Sequence, residues 1–413
     1  VYKRQLTNFN ISVAVTDTFM EAVKEDAKYD LINPRTGKPV RKESAKEVFN
    51  MITLSAWATG DPGLVFIDEI NRHNPTPKVG RISSTNPCGE QPLLPYESCN
   101  LGSINLSKMI EKKEIDWSRL RHVTRAGVHF LDSVIDVNKF PLRETEALTK
   151  ANRKIGLGVM GFADALLELE IPYDSLEALN VAEEIMKFVA KEAREKSVEL
   201  GEERGSFPNF EESIWREEEG YNHMRNATQT TVAPTGSISI IAGTSSGIEP
   251  LFAISFVRNV LDGTQLLETN RTFDEVALRE GFSSPELVME IARKGSLSEI
   301  EGVPERVKRL FVTALDIAPE WHVRMQAAFQ KYVDNAVSKT VNLPHNATTE
   351  DVRRIFLLAY QERCKGITVY RYGSKEEQVL YVGGERGQVQ DQSNYVIASS
   401  EYAGGCPKEK CPF

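Results

Sequence analysis

Three residue types that can do chemistry together lie within five positions of this chain, at Asn86, Cys88 and Glu90. In an extended segment, side chains alternate between two faces, so these three would point the same way. Pro87 lacks an N–H and suits an edge strand or a loop. An amide, a thiol and a carboxylate in one row predict a reactive site. Cys99, eleven positions after Cys88, adds a candidate redox partner.

The segment around these residues resembles the finger loop of ribonucleotide reductases, most closely that of the adenosylcobalamin-dependent ones. Its central motif, Asn-Pro-Cys-Gly-Glu, lies within residues 84–103, and the resemblance runs from about Leu6 to Ser374. Each motif alone is moderate evidence, whereas their ordered combination is highly specific. The other matching motifs follow in the family's order at residues 153–161, 232–239, 243–250, 334–344 and 366–371.

The resemblance implies roles for the loop residues. Cys88 would carry a thiyl radical that takes hydrogen from C3′ of a ribonucleotide, and Glu90 would accept the 3′-hydroxyl proton as general base. Asn86 would orient the sugar, and Cys99 would be one of two thiols that supply electrons. The alternative for Cys88 is a buried, inert cysteine, which the full motif argues against.

The partner of Cys99 in the family lies upstream of the finger loop. This chain has no cysteine before Cys88. We therefore interpret the chain as a C-terminal portion of a longer protein and expect it not to complete a normal turnover alone.

A turn of small hydroxyl residues follows the strand predicted at residues 230–233. Backbone N–H groups and hydroxyls in such a turn can hold a phosphate, aided by the dipole of a following helix. Taken alone, the turn is more often a plain loop or cap. The resemblance implies that it holds the substrate's diphosphate, with residues 243–249 as a pocket wall. The turn consists of Ala233, Pro234, Thr235, Gly236, Ser237, Ile238 and Ser239.

The glycine pattern at residues 153–161 could suggest a dinucleotide-binding fingerprint. No suitable strand is predicted before it, and lone glycine patterns are weak signals. Close backbone packing is the better interpretation.

The family divides by how its radical is made. Oxygen-dependent members relay it through adjacent tyrosines on the final barrel strand, but here Arg371 separates Tyr370 from Tyr372. Glycyl-radical members need a glycine in a C-terminal Arg-Val-x-Gly-Tyr-like context, which the sequence lacks. Both points favour adenosylcobalamin as the cofactor. The Asp-x-His-x-x-Gly cobalamin motif is absent, and this family does not use one; the protein would position the cofactor.

Composition excludes several classes of protein. The chain has 413 residues, 41% of them hydrophobic and 26% charged, as expected for a globular protein with a large core. Its net charge of −9 argues against coating nucleic acid or a membrane surface. We find no membrane-length apolar run, no signal segment and no secreted disulfide framework. We expect a cytoplasmic protein with no nucleic-acid or membrane partner.

Strand-like and helical segments alternate, which predicts an α/β architecture. The resemblance implies a ten-stranded barrel of two five-stranded halves around the finger loop, with the N-terminal part missing. We interpret residues 1–5 as a cloning scar, residues 6–374 as the C-terminal portion of the barrel domain and residues 375–413 as a flexible tail. The predicted strands lie at residues 9–15, 64–67, 230–233, 338–342 and 367–371. The predicted helices begin at Asp17 and lie at residues 44–57, 117–137, 175–203 and 349–363, with three more between 272 and 335.

Cys406 and Cys411 lie in the predicted tail. By resemblance, they would re-reduce the active-site disulfide and be reduced by a thioredoxin- or glutaredoxin-type partner. The alternative is a fragment of a zinc site, which two cysteines without a second pair or a nearby histidine fit less well. Cys364 is interpreted as structural. The six histidines show no metal-ligand spacing, so no metal is assigned.

The resemblance thus implies an enzyme that reduces ribonucleoside diphosphates to 2′-deoxyribonucleoside diphosphates for DNA synthesis. Two alternatives stay open: the large subunit of an oxygen-dependent reductase, and a catalytically silent nucleotide- or zinc-binding module of the same fold. Diphosphates are preferred over triphosphates only on the resemblance of the phosphate turn. The family's effector-binding segments lie upstream, and its members are often dimers, which leaves a homodimer open.

Overall fold

The computed structural model describes residues 9–259, 265–374, 380–381 and 397–398, with side chains for residues 9–256 and 268–374. Residues 1–5, interpreted above as a scar, lie outside the described residues, as do the tail cysteines Cys406 and Cys411. Within the described part of the chain, we find no helix that combines the length and the apolar character needed to cross a membrane.

Strands and helices alternate along the chain, as predicted. The strands are β1 (Ser12–Val15), β2 (Lys28–Ile32), β3 (Pro39–Ser44), β4 (Gly63–Phe66), β5 (Ser84–Thr85), β6 (Pro92–Leu93), β7 (Asn100–Asn105), β8 (Ile110–Glu111), β9 (Glu114–Ile115), β10 (Ile155–Met160), β11 (Ser255–Asn259), β12 (Gln265–Thr269), β13 (Thr340–Leu343), β14 (Gly366–Arg371), β15 (Leu380–Tyr381) and β16 (Ile397–Ala398). The helices are α1 (Asp17–Lys24), α2 (Ala45–Thr59), α3 (Ile67–Arg72), α4 (Trp117–Val137), α5 (Arg143–Asn152), α6 (Phe162–Glu168), α7 (Leu176–Arg204), α8 (Ile214–Glu217), α9 (Gly236–Ala242), α10 (Arg271–Glu280), α11 (Pro285–Lys294), α12 (Glu305–Leu310), α13 (Pro319–Gln330) and α14 (Thr349–Gln361).

Two sheets position the candidate site. One has the order β1-β4-β14-β13, and the other pairs β10 with β7 in parallel. Isolated parallel bridges from Leu157 to Thr230 and from Val232 to Val337 connect the two sheets. Strand β14 is antiparallel to β4, whereas β1 with β4 and β13 with β14 are parallel. The run from β7 to β1 therefore consists of two parallel groups that meet antiparallel at the β4–β14 pair.

Helices cover the outer side of these strands because alternate strand residues are apolar. Ile155, Leu157 and Val159 of β10 belong to one buried cluster together with residues of α4 and α7. The residues between them in β10 include Gly156 and Gly158, which must face the opposite side. A second cluster packs α1, α2 and α14 against β1, β4, β13 and β14. The strands therefore have one face against helices and one interior face.

The long helices α2, α4 and α7 were predicted well. Helix α4 has the predicted bounds, and α2 and α7 begin after Ser44 and Ser175, whose side chains cap the first turn. The short strands were predicted less well. Only residues 12–15 of the predicted strand 9–15 are extended, and the strand predicted at residues 230–233 has isolated bridges only.

Other elements were missed or miscounted. The region of residues 71–106, predicted as mostly loop, contains the six-residue strand β7. Four helices, not three, lie between residues 271 and 330. The hairpin of β2 and β3 was not predicted, because its exposed polar residues carry no strand periodicity.

A buried charge network ties three parts of this fold together. Arg153, between α5 and β10, donates to Asp132 of α4 from Nε at 2.9 Å and from Nη2 at 2.8 Å. The Asp132 side chain is fully buried, and it also accepts from Arg225 at 3.2 Å and Asn226 at 3.0 Å. The network therefore fixes the loop of Arg225 and Asn226 against α4 and the start of β10. This loop leads into residues 230–232, which we call the bridging segment because they form the isolated bridges to Leu157 and Val337.

Asp132→Ala should lower the free energy of unfolding by about 3 kcal/mol, because it removes the buried carboxylate that Arg153, Arg225 and Asn226 share. Asp26→Ala is the matched control: it breaks the exposed pair with Lys46 and should cost less than about 1 kcal/mol. Urea denaturation followed by circular dichroism measures both values. If Asp132→Ala lowers the free energy of unfolding no more than Asp26→Ala does, the network does not hold these parts of the fold together.

Candidate active site

The tip of a hairpin contains the candidate residues Asn86, Cys88 and Glu90. Strands β5 and β6 pair antiparallel, with Thr85 opposite Pro92. Between them the Gly89 N–H donates to Asn86 O at 3.0 Å, and Gly89 has a φ of 81°, which favours glycine. The Asn86 side chain closes the loop, because its Oδ1 accepts from the Gln91 N–H at 2.9 Å. The tip is therefore a turn that the side-chain amide of Asn86 stabilises.

This turn corrects the prediction of an extended row. Residues 87–88 form a turn, so alternation along a strand does not place Asn86, Cys88 and Glu90 on one face. Next to burial, the charge of Glu90 raises the pKa of the Cys88 thiol, and the Asn86 amide partly offsets the rise that burial causes in the pKa of Glu90. The structure therefore brings the three residues together by a bend in the backbone, not by strand periodicity.

The base of the tip is pinned to the interior face of the strands. Glu90 O accepts from the Ala336 N–H at 3.0 Å and from Thr231 Oγ1 at 2.8 Å. The neighbouring Gln91 side chain packs over Gly156, where an added Cβ would lie 2.6 Å from Gln91 Nε2. Glycine at position 156 therefore leaves the space that the hairpin occupies.

Gly158 supports the interpretation of the glycine pattern as close packing. A Cβ there would overlap the carbonyl oxygen of Thr231. The glycines of residues 153–161 therefore let the bridging segment and the hairpin approach the strand β10.

The Cys88 thiol is held in its protonated form. Its side chain is exposed on one side, yet the protein on its other side removes enough water to raise its pKa, and the charge of Glu90 raises the pKa further. A protonated thiol keeps the S–H bond that hydrogen-atom chemistry requires. A thiolate nucleophile would need a lowered pKa instead.

The Glu90 carboxyl is buried, with 3% of the residue exposed. Burial raises its pKa, and the nearby Asn86 amide lowers it by less. Its Oε2 has no hydrogen-bond partner among the described residues. A carboxylate with a raised pKa and an unused oxygen is suited to accept a proton from a bound group.

Cys99 lies just before β7, near a buried ion pair. Lys154 Nζ donates to Glu97 Oε2 at 2.7 Å, and both side chains are almost fully buried. Asn152 Nδ2 donates to the other Glu97 oxygen at 2.7 Å. Burial raises the pKa of the Cys99 thiol well above its usual range, although Lys154 lowers it somewhat. Cys99 is therefore also kept as a thiol, on a segment anchored by Glu97.

The turn predicted to hold phosphate leads into α9. Thr235 adopts the left-handed conformation with a φ of 57°, and its Oγ1 accepts from the Gly247 N–H at 2.7 Å. Ser239 Oγ lies 2.9 Å from Ser246 Oγ. Two of the hydroxyls nominated from the sequence thus join this turn to the second turn of residues 243–249. The second turn therefore packs beside the first.

Two residues of the first turn, Ser237 and Ile238, are exposed, and the half-buried Gly236 opens α9. The first N–H groups of a helix have no partner within that helix. The remaining two, Ala233 and Pro234, form the entry to the turn, and Ala233 is buried.

The other cysteine and the histidines have structural surroundings. Cys364 is fully buried between α14 and β14 in the second core cluster, as its structural interpretation requires. His322 is buried, with its Nε2 3.1 Å from Ala314 O. Across the residues with described side chains, no group of three or more His, Cys, Asp and Glu side chains could hold a metal ion.

Sequence reasoning missed the buried charges that support the hairpin. Lys154 and Glu97 lie in stretches that read as polar loop, and nothing in their spacing signals a buried pair. The resemblance did include both residues within matching motifs. Their position within those motifs was therefore the one signal in the sequence that could have identified this buried pair.

Comparisons with known proteins identify the family of this chain. Residues 2–370 match the family described as "Ribonucleotide reductase, barrel domain". A vitamin B12-dependent ribonucleoside-diphosphate reductase of Thermoplasma acidophilum is 51% identical over 98% of this chain and 54% of its own length. One of Mycobacterium tuberculosis is 50% identical over 99% of this chain and 58% of its own length. This chain thus spans about half the length of these relatives.

The fold is also similar to that of a solved structure. The class Id ribonucleotide reductase alpha subunit of Actinobacillus ureae superposes with a TM-score of 0.71, at 23% sequence identity. The match covers 88% of this chain and 65% of that chain. The family match over residues 2–370, together with relatives half identical to this sequence, shows that the chain belongs to the ribonucleotide reductases through their barrel domain.

Proposed function

We propose that this chain is the catalytic barrel portion of an adenosylcobalamin-dependent ribonucleoside-diphosphate reductase. The observation that carries the proposal is the pairing of Cys88 with Glu90 on a hairpin pinned to the interior face of the strands. The names of the relatives, which are half identical over nearly all of this chain, support the same reaction and cofactor. The enzyme would be an oxidoreductase that supplies 2′-deoxyribonucleoside diphosphates for DNA synthesis.

The proposed fold is a ten-stranded barrel of two five-stranded halves. Strands β7 and β10, the bridging segment, β13 and β14 would make one half, and β4 and β1 would belong to the other. The antiparallel junction of β14 with β4 supports this division, because it marks where two parallel groups meet. Residues 6–374 would form the barrel portion, and residues 375–413 a tail.

The chain's own residues suit the steps of radical reduction. A Cys88 thiyl radical would take the hydrogen atom from C3′ of the ribose, which re-forms the S–H bond. Glu90 would take the 3′-hydroxyl proton, which helps the 2′-hydroxyl leave as water. Cys99 and a second thiol outside this chain would supply two electrons and two protons, one proton to the departing water and one hydrogen to C2′, and close to a disulfide. Glu90 would return its proton to the 3′-oxygen. Hydrogen return from Cys88 to C3′ would complete the product.

Asn86 would act in part through Glu90. Its Oδ1 already accepts from the Gln91 N–H, and its amide lowers the pKa of the Glu90 carboxyl against the effect of burial. This arrangement supports a role in orienting the base as well as the sugar. The turn of residues 233–239 would receive the diphosphate, since it opens a helix beside the wall formed by residues 243–249.

The surroundings of Cys88 fit a large cofactor beside the thiol. Cys88 is exposed, and a Cβ on the adjacent Gly89 would meet no atom within 4 Å. Among the described residues, Cys88 and Gly89 would line the near side of the cofactor. When bound, adenosylcobalamin would supply the hydrogen-atom acceptor that converts the Cys88 thiol to its radical.

The remaining assignments rest on family position. Cys406 and Cys411 would carry electrons from a thioredoxin- or glutaredoxin-type partner to the active-site disulfide. A cytoplasmic location and a homodimer would follow the usual pattern of the family. Diphosphate substrates are proposed because the relatives are named for them.

The two alternative functions require different residues. An oxygen-dependent large subunit would relay a radical through adjacent tyrosines, but Tyr370 and Tyr372 of this sequence are separated by Arg371. A silent nucleotide- or zinc-binding module would not need a base beside a protonated thiol. The structure places Glu90 within electrostatic reach of Cys88, which favours a catalytic hairpin.

The full-length enzyme should bind adenosylcobalamin and reduce ribonucleotides with a dithiol and no metal-containing subunit. A cobalamin difference spectrum measures binding, and product analysis measures turnover. The oxygen-dependent alternative predicts no spectral change and a requirement for a second subunit. Zinc analysis of the same preparation tests the silent module.

Cys88→Ser in the full-length enzyme should abolish deoxyribonucleotide formation, because an O–H bond is too strong to replace the S–H bond as hydrogen carrier. Nucleotide binding should stay close to that of the wild type, which equilibrium dialysis measures. Cys364→Ser is the matched control, and we expect it to lower stability without removing activity. Product formation by Cys88→Ser would refute the assignment.

Glu90→Gln should slow the chemical step by about a hundredfold or more, in the range of general-base catalysis, with little change in KM. In the wild type, the base must be ionised, and burial raises the Glu90 pKa above its ordinary value. The acid limb of the kcat profile should therefore lie at higher pH than for an ordinary glutamate, with activity lost as the pH falls. Glu90→Gln should remove this limb; an unchanged limb would assign it to another group.

A further inference from the structure

A buried lysine lies behind the turns of the proposed phosphate site. The Lys339 side chain is fully buried, and its Nζ lies 2.5 Å from Glu249 Oε2. The same ammonium lies 3.3 Å from His322 Nδ1 and 5.7 Å from the ring centre of Tyr173. All partners of this charge are therefore side chains of the interior, and none of the reaction steps described above uses it.

Glu249 connects this lysine to the turns. It ends the second turn, where its N–H donates to Ser246 O at 2.9 Å, and its Oε1 accepts from the Thr340 N–H at 2.8 Å. Gly247, whose N–H is bound to Thr235 Oγ1, lies two residues earlier. Two residues span at most about 7 Å, so the backbone of Glu249 lies close to the first turn.

Lys339 is the cation that faces Glu249 behind the turns. Burial lowers the pKa of His322 well below its usual value, and Lys339 lowers it further, so this histidine is neutral. Burial also lowers the pKa of Lys339, which Glu249 opposes. Asp164 is held separately, by Thr244 Oγ1 at 2.8 Å and the Ser245 N–H at 2.6 Å. Without Lys339, the negative charge of Glu249 would stand uncompensated.

A negative charge within about 10 Å of a diphosphate, in a partly buried setting, repels it appreciably. We propose that Lys339 is a specificity-determining residue that neutralises Glu249 and so lets the turn of residues 233–239 accept the phosphate groups of the substrate. This inference rests on the proposed function, because it takes that turn as the phosphate site. Lys339 acts through Glu249 and has no assigned contact with the substrate.

The test compares a ligand with and without phosphate. Binding of cytidine diphosphate and of cytidine to the full-length enzyme is measured by equilibrium dialysis. Lys339→Met should weaken cytidine diphosphate binding about tenfold and leave cytidine binding unchanged. Lys339→Met combined with Glu249→Gln should restore diphosphate binding to near the wild-type value, because the second change removes the exposed negative charge.

The double variant separates charge from structure. If Lys339 merely fills space, the double variant should bind cytidine diphosphate as weakly as Lys339→Met, and the inference is overturned. Equal weakening of cytidine binding would overturn it as well. Glu249→Gln alone covers the case in which Lys339→Met does not fold: it should not weaken diphosphate binding, and a tenfold loss would contradict the inference.

The control separates this inference from the proposed function. Lys154→Met breaks the buried pair with Glu97, away from the turns, and should not change the ratio of diphosphate to nucleoside affinity. If the wild-type enzyme binds cytidine as tightly as cytidine diphosphate, the turn is not a phosphate site. That result would refute the proposed site itself, whereas the outcomes above concern Lys339 alone.

Discussion

The attachment of Glu90 to the interior strands is the interaction on which the site depends. Strands β5 and β6 have two residues each, and an isolated hairpin of that size is not stable in water. Its tip is held by two hydrogen bonds to Glu90 O, from Ala336 and Thr231, each worth about 1 kcal/mol. Because Glu90 O accepts both bonds, the backbone of Glu90 is the fixed point of the loop.

Buried ion pairs supply the second constraint. Glu97 with Lys154, Asp132 with Arg153 and Glu249 with Lys339 each join segments far apart in sequence. Such pairs add little net stability, because the loss of hydration offsets their attraction. Removing one partner is costly, however, so each pair discourages other arrangements of the loops it joins. The positions of the hairpin and of both Gly/Ser turns are thus specified by charge as well as by packing.

The sequence predicted those parts of the fold that local patterns determine. The helices α2, α4 and α7 have clear apolar faces and capping residues, and their bounds were predicted closely. Strand β7 was missed, because its sequence alternates poorly and its pairing with β10 is long-range. The finger loop was located by its motif. Its turn was not predicted, because the sequence pattern does not show that the Gln91 N–H donates to the Asn86 side chain.

The protonation state of the two thiols favours one kind of chemistry. Enzymes that use cysteine as a nucleophile lower the thiol pKa with nearby positive charge. Here burial raises the pKa of both Cys88 and Cys99, and the nearest influential charge on Cys88 is a carboxylate. That environment penalises a thiolate and preserves the S–H bond. A site that keeps its sulfur protonated beside a carboxylate base is poorly suited to nucleophilic attack and well suited to hydrogen-atom transfer. The electrostatics of the hairpin thus fit the hydrogen-atom transfer proposed for Cys88.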